Sequence, residues 1–318
     1  LLPLHGYQTP DKVILIITSY NPDIHRTSEN ISAFMEAYKA RNGRYRVAVE
    51  TLNCKNLSEA YLWREKMEEI LLKYIGSNTP ALVVLLGQEA WSAYLSQDPD
   101  KVQHMPALCG LVSRNTLILP KDSTSLQNWE PENKDIYTDF PGYNIVGGYV
   151  YEYNLEKNIQ LVQRFYPNTS KILFLSDNTF GGVCMQTWLK KEMQKFPEYE
   201  LELLDGHRQT FMEVNGRIRS VSDSTCVLVG TWRVDCTEDY VLGNTTYMLH
   251  DANPELPVFT LSSVGLGNWA LGGYMPDYCI QGKELANDCI DYLERDTRRK
   301  VCIHKIPNGY VFDVKRIH

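Results

Sequence analysis

The stretch VILIITSYNPD, residues 13–23, decides how the rest of the chain is read. An unbroken aliphatic run describes a strand buried on both faces, as in a parallel sheet covered by helices. Asn21, Pro22 and Asp23 then break the chain. Beyond them Ile31, Phe34, Met35 and Tyr38 recur at helical spacing, up to Asn42 and Gly43. A buried strand, a break and an amphipathic helix make one unit of an α/β fold.

The same unit repeats outward. Residues 45–52 read as a strand, followed by a helix that Ser58 can cap. Its stripe is Met67, Ile70, Leu71 and Tyr74, with Gly76 as the stop. Residues 81–86 and 106–112 are further strands, separated by a short helix from about Glu89. Residues 114–143 carry Pro120, Pro131 and Pro141 without a clear period, as a surface or functional excursion does. NIVGGYVY at 144–151 resumes strand character.

A second series begins with a helix at 155–165 and the strand KILFL at 171–175. A helix bearing Met185, Trp188, Leu189, Met193 and Phe196 follows, then a strand at 199–204 and a helix at 211–221. TCVLVG at 225–230 is a strand, with a helix near 237–251 and a strand at 257–262. Gly265, Gly267, Gly272 and Gly273 punctuate what comes next, before a helix at 279–293 and a strand at 310–314.

Strands alternating with helices imply parallel sheets flanked by helices. Two such series predict an α/β fold of two doubly wound parallel-sheet lobes, with a hinge and an interlobe cleft. The expected division is 1–148 for the first part of lobe 1, 149–263 for lobe 2, and 264–318 for the return to lobe 1. The last strand, within 308–316, is open to either lobe. Glycine-bearing segments at 147–151 and 263–273 are the expected hinges.

Composition narrows the function classes. The chain has 318 residues, enough for two domains, and 43% of them are apolar, enough for a core. Its net charge of −7 does not suit a protein that grips a nucleic-acid backbone. The longest apolar run, 81–86, is far short of the about 20 residues of a membrane span. None of the eight cysteines forms a C-x-x-C pair, and the histidines are scattered, so no metal site and mostly free, buried thiols are expected. There is no P-loop, no dinucleotide fingerprint after the first strand, no G-x-S-x-G and no H-E-x-x-H, and no cofactor is expected.

Ligand sites in such folds lie at the carboxyl ends of the strands. The residues there are polar and aromatic: Tyr20 and Asn21, Gln88 and Glu89, Ser113 and Arg114, then Asn178, Thr179 and Phe180, Trp232 and Arg233, and Ser262 and Ser263. Amides, hydroxyls and guanidinium groups with aromatic faces suit reversible binding of a small polar ligand. Each has a second reading. Tyr20 and Phe180 can be packing residues, Asn21 and Asn178 helix caps, Gln88 a cap. Arg114 can be a solvated loop residue, and Arg233 a partner of Asp235.

The segments ILIITSYNPD (14–23), LLGQEAW (85–91), MPALCGLVS (105–113), the central YNLEKNIQLVQRFYPNTSKILFLSDNTFGG (153–182) and IPNGYVFDVKRI (306–317) resemble, in that order, periplasmic substrate-binding domains of the type I, ABC-transporter-like class. The resemblance implies capture of a sugar or other small metabolite between two lobes, closure about a hinge, and no catalysis. It also implies a periplasmic location. In that family such domains serve as extracytoplasmic sensors of membrane histidine kinases or diguanylate cyclases, or as free solute-binding proteins. The expectation is the sensor of a two-component protein, with a membrane helix outside this stretch and a possible homodimer. A free binding protein of an importer and an α/β enzyme, such as a nucleotide-sugar transferase, are the alternatives.

Overall fold

The computed structural model describes residues 11–240, 245–294 and 300–317. In chain order its main elements are β1 (Val13–Thr18), α1 (His25–Ala40), β2 (Arg46–Thr51), α2 (Ala60–Leu72), β3 (Leu82–Leu86), α3 (Gln88–Leu95), α4 (Pro99–Val102), β4 (Ala107–Ser113), β5 (Asn115–Thr116), α5 (Ser123–Gln127), β6 (Lys134–Asp135) and β7 (Ile145–Tyr151). There follow α6 (Leu155–Phe165), β8 (Lys171–Ser176), α7 (Phe180–Met193), β9 (Glu200–Asp205), α8 (Phe211–Arg219), β10 (Thr225–Val229), α9 (Thr245–Ala252), β11 (Val258–Thr260), β12 (Gly272–Pro276), α10 (Gly282–Leu293), β13 (Ile303–Lys305) and β14 (Asn308–Phe312).

Two six-stranded sheets organise these elements, in the orders β2-β1-β3-β4-β7-β13 and β9-β8-β10-β11-β12-β14. The first is parallel throughout, and the second is parallel except where β14 runs antiparallel to β12. The doubly wound α/β fold with two lobes is therefore present. β1 shows why the opening run of residues is apolar on both sides. Val13, Leu15 and Ile17 enter one core with Trp63, Met67 and Trp91, and Ile14 and Ile16 enter another with Phe34, Tyr38 and Leu285.

The chain passes between the sheets three times: after β7, between β12 and α10, and between β13 and β14. The middle passage is fixed by Gln281, which is fully buried. Its side chain accepts from the Leu111 N–H at 2.8 Å and donates to the Tyr151 hydroxyl at 3.0 Å, while its own N–H donates to Asn30 Oδ1 at 2.8 Å. At Gly282, α10 runs so close to α1 that an added Cβ would collide with the Asn30 carbonyl.

The sheets part from the expected boundaries in several places. β7 stays in the first sheet to Tyr151, whereas residues 272–276, assigned by sequence to the return segment, lie in the second; the last strand, left open to either lobe, pairs there as β14. The helix expected from Cys279 starts at Gly282, because Cys279 and Ile280 extend its apolar pattern while standing exposed in the passage. The glycines of β7 pack closely against the neighbouring strands. Gly148 has a φ of 138°, and an added Cβ there would strike the Cys109 backbone where β4 and β7 shift register. Of the helix expected over 237–251, the described part is α9; residues 235–239 turn around Asp235, and 241–244 lie outside the described residues.

The 114–143 excursion is anchored in the first lobe. Leu117, Leu119, Ile136 and Phe140 enter its core, and β5 pairs with β6. Its Glu130 lies 3.5 Å from Arg208 of the second lobe. The eight cysteines are free, and Cys54, Cys109, Cys184, Cys226 and Cys289 are buried. No helix among the described residues is long and apolar enough to cross a membrane.

Candidate functional site

In each sheet the winding reverses between two neighbouring strands, β1 and β3 in the first and β8 and β10 in the second. Helices diverge there and leave a crevice at the carboxyl ends. In the first lobe this crevice holds Tyr20 and Glu89. The Tyr20 hydroxyl donates to Glu89 Oε1 at 2.5 Å, and Glu89, in the first turn of α3, is only 7% exposed. Tyr20 is held protonated far above the usual phenol range, first by the Glu89 charge, then by burial and this hydrogen bond. The same carboxylate reaches Cys54 and Cys184, whose thiols are pushed well up by burial first and Glu89 second.

Arg233, after β10, answers from the second lobe. It is exposed, and among the described residues its guanidinium makes no hydrogen bond or ion pair. Its positive charge acts, as a minor influence, against the rise at Tyr20 and at Tyr153. Arg26 of α1 joins them, 3.5 Å from the Tyr151 hydroxyl and 6.0 Å from the Tyr278 ring centroid. The passages supply an aromatic floor. Tyr278 donates to the Tyr153 hydroxyl at 3.1 Å, and the Tyr151 and Tyr278 rings stand 4.9 Å apart.

The other sequence-predicted residues are engaged within their own lobes or as interlobe packing. Gln88 accepts from the Ser113 N–H at 2.6 Å and from its hydroxyl, and donates to Thr116. Arg114 forks onto Asp135 at 2.7 Å, reaches Glu152 at 3.3 Å and lies over the Tyr137 ring. Asn21 turns the chain by accepting from the Asp23 N–H. Asn178 spends both ends of its amide, on the Asp235 carbonyl at 3.0 Å and on His207 Nδ1 at 2.6 Å. Thr179 caps α7, and the Ser262 hydroxyl donates to the Gly230 carbonyl at 2.6 Å.

Phe180 is 1% exposed and, with Val183 and Cys184, packs into the core of the first lobe, its ring edge-on to Trp63 at 6.0 Å. It forms an apolar contact between the lobes. Trp232 is buried in the second core, and with Arg233 and Ser263 it lines a cavity of about 360 Å³.

The sequence reading omitted Arg26, Tyr153, Tyr278 and Asp177 from the site. Asp177 is buried beneath the second-lobe wall. Its carboxylate accepts from the Thr179 N–H and hydroxyl, the Thr231 hydroxyl at 2.9 Å and the Arg233 N–H at 2.7 Å. The signal for the tyrosines was their clustering at chain passages not yet located. Among the described residues no group of three or more His, Cys, Asp or Glu is placed to hold a metal ion.

No protein-family model matches the chain, and no curated protein sequence matches it. Solved structures do. A ligand-free, open substrate-binding protein with adhesive properties from Clostridium difficile is 14% identical, with a TM-score of 0.57 over 96% of this chain and 93% of that one. A transporter solute-binding protein from Bacillus halodurans with bound myo-inositol is 11% identical, with a TM-score of 0.57 over 96% of both chains. The fructose-binding periplasmic domain of a hybrid two-component system is 10% identical, with a TM-score of 0.55 over 96% of this chain and 92% of that one. At these identities the likeness is one of fold, the two-lobed α/β fold of type I periplasmic binding proteins.

Proposed function

We propose that this chain is a small-molecule receptor domain that clamps a polar ligand between its lobes and performs no reaction on it. One observation supports the reading. Tyr20 and Glu89 stand at the switch point of one sheet and Arg233 follows the switch-point strand of the other, with three chain passages joining the lobes. A ligand that touches both walls is held fully only in the closed form. Its differential affinity for closed over open sets how far the population moves. The passages at 152–154, 277–281 and 306–307 absorb the rotation.

Within this reading the domain is the extracytoplasmic sensor of a two-component membrane protein, and closure changes the spacing of the chains that lead from it to the membrane. The fructose-binding domain of a hybrid two-component system supports this assignment by its fold. The inositol-bound solute-binding protein supports a free periplasmic binding protein equally by fold, and the complete gene separates the two: a kinase region after residue 318, or a stop. The binding reading is tested by a thermal-shift screen with sugars, amino acids and organic acids. A bound compound raises the melting temperature and is recovered unchanged. Recovery of a converted product would establish an enzyme instead.

A further inference from the structure

We infer that the free edge of β14 is the surface through which two copies of this chain associate, pairing antiparallel so that their second lobes share one sheet. A sheet edge presents unpaired backbone groups, and natural edges are commonly guarded by charge. Three of the four edge strands of the two large sheets are guarded in this way. β2 carries Arg46 and Glu50, β9 carries Glu200, Glu202 and Asp205, and β13 carries Lys305. β14, with the sequence Asn-Gly-Tyr-Val-Phe, carries neither charge nor proline. Large apolar side chains also stand in the open there: Tyr310 is 50% exposed, Val311 43%, and Phe165, beside the Phe312 ring, 48%.

The register fixes which backbone groups are free. In an antiparallel pair, opposite residues alternate between those that exchange hydrogen bonds and those whose N–H and C=O point away from each other. The Asp277 N–H donates to the Pro307 carbonyl and the Asp313 N–H to the Leu271 carbonyl, each at 2.9 Å. Counting inward by twos from these pairs, the exchanging residues of β14 are Gly309, opposite Met275, and Val311, opposite Gly273. Tyr274 gives the same phase, because its N–H and C=O are both taken by the Asn158 side chain at 3.0 Å. Asn308, Tyr310 and Phe312 therefore turn their N–H and C=O to the free edge.

That edge is complementary to itself. A two-fold axis at Tyr310 sets this residue opposite its own copy and Asn308 opposite Phe312 of the second copy, all as exchanging pairs. The side chains continue across the same axis. Tyr274, Tyr310 and Phe312 lie on one face, with the Tyr274 and Tyr310 rings 4.8 Å apart and the Tyr310 and Phe312 rings stacked at 6.2 Å, so the aromatic ladders of two copies join. A stable pair buries about 1,200 Å² or more. Exposed Phe165 on that face, and exposed Val314 and Ile317 beyond the end of the strand, extend the patch past its five residues. An extended peptide of another protein would satisfy the backbone equally, but the self-matching register and aromatic face favour a second copy.

Sedimentation velocity over a dilution series of the 318-residue chain tests this. The expected result is a reversible dimer whose dissociation constant rises at least about 10-fold in Tyr310→Lys, which sets like charges opposite each other at the axis. An unchanged melting temperature of the dilute variant verifies its fold. The register is tested separately with Cys279→Ser and Cys302→Ser as background. There Tyr310→Cys should form a disulfide between copies on mild oxidation, since exchanging pairs stand about 5.5 Å apart at Cα, whereas Glu200→Cys on the guarded edge β9 should not. A chain that stays monomeric throughout, or a dimer that keeps its affinity in Tyr310→Lys and does not cross-link through Tyr310→Cys, would overturn the inference. Either result would leave the receptor reading standing, because the crevice between the lobes is no part of this edge.

Discussion

Arg114 follows β4 in the first lobe and Arg233 follows β10 in the second, both at the carboxyl edge of a parallel strand. Arg114 is consumed by its own lobe: Asp135 takes its fork, Glu152 a further nitrogen, and Tyr137 its face. Among the described residues Arg233 is held through its backbone N–H, by Asp177, and its guanidinium has no partner. Identical side chains at like positions thus have opposite fates. One pins the excursion to the first passage, and the other has no such partner among the described residues.

Removing the second wall's support should have the largest effect. Asp177→Ala strips four hydrogen bonds from buried or half-buried donors and should cost about 3 kcal/mol or more in urea unfolding, with ligand response lost as the Arg233 loop comes free. Trp232→Ala would be equally damaging, at about 3–5 kcal/mol, because the ring is core as well as cavity wall. It is therefore a poor probe of binding.

The two arginines sharpen the comparison next. Arg114→Gln should lower stability by about 1–2 kcal/mol, its charged hydrogen bonds being partly exposed, and should leave the intrinsic ligand contacts in place. Arg233→Gln should do the reverse, with stability kept and affinity lost. If both variants lose stability alike, the assigned division of labour fails.

A smaller effect is expected with pH. Burial, the largest influence, holds His207 below the ordinary imidazole range, with Arg208 acting in the same direction and Asp205 against it. The unfolded chain then takes up a proton near pH 6.5 that the folded chain resists. Stability should fall as pH drops through that value and level off below the folded pKa. Melting curves from about pH 8 to about pH 5.5 should show this decline, and His207→Asn should flatten it. The smallest effect belongs to Arg208→Ala. Its pair with Glu130 spans the lobes but is exposed on both sides, so the melting temperature should move by no more than about 1 kcal/mol of stability corresponds to.

The sequence disclosed the fold wherever burial leaves a local mark. The runs at 13–17, 171–175 and 225–229 are apolar because both faces of each strand are covered, and the double winding follows from their alternation with helices. It hid the middle passage, because Cys279 and Ile280 continue the apolar pattern of α10 without belonging to it. It also hid β13, three residues of mixed polarity held by pairing with β7. For the site, strand ends could be found, but not which of their side chains remain free. Whether the guanidinium of Arg114 or of Arg233 is spare depends on Asp135 and Glu152 reaching one while Asp177 takes only the backbone N–H of the other, and those partners are assembled only by the fold. Tyr20 pairs with Glu89, and Gln88, Ser113, Asn178 and Ser262 are engaged by partners within their own lobes.

Closure itself can be read at Cys184, which is buried where Phe180 and Val183 of the second lobe enter the first-lobe core. In a variant whose exposed Cys279 and Cys302 are replaced by serine, alkylation of Cys184 in the native protein reports separation of the lobes. The account predicts that a compound which raises the melting temperature slows this alkylation in proportion to its occupancy. A bound compound that leaves the rate unchanged would contradict a receptor that works by clamping.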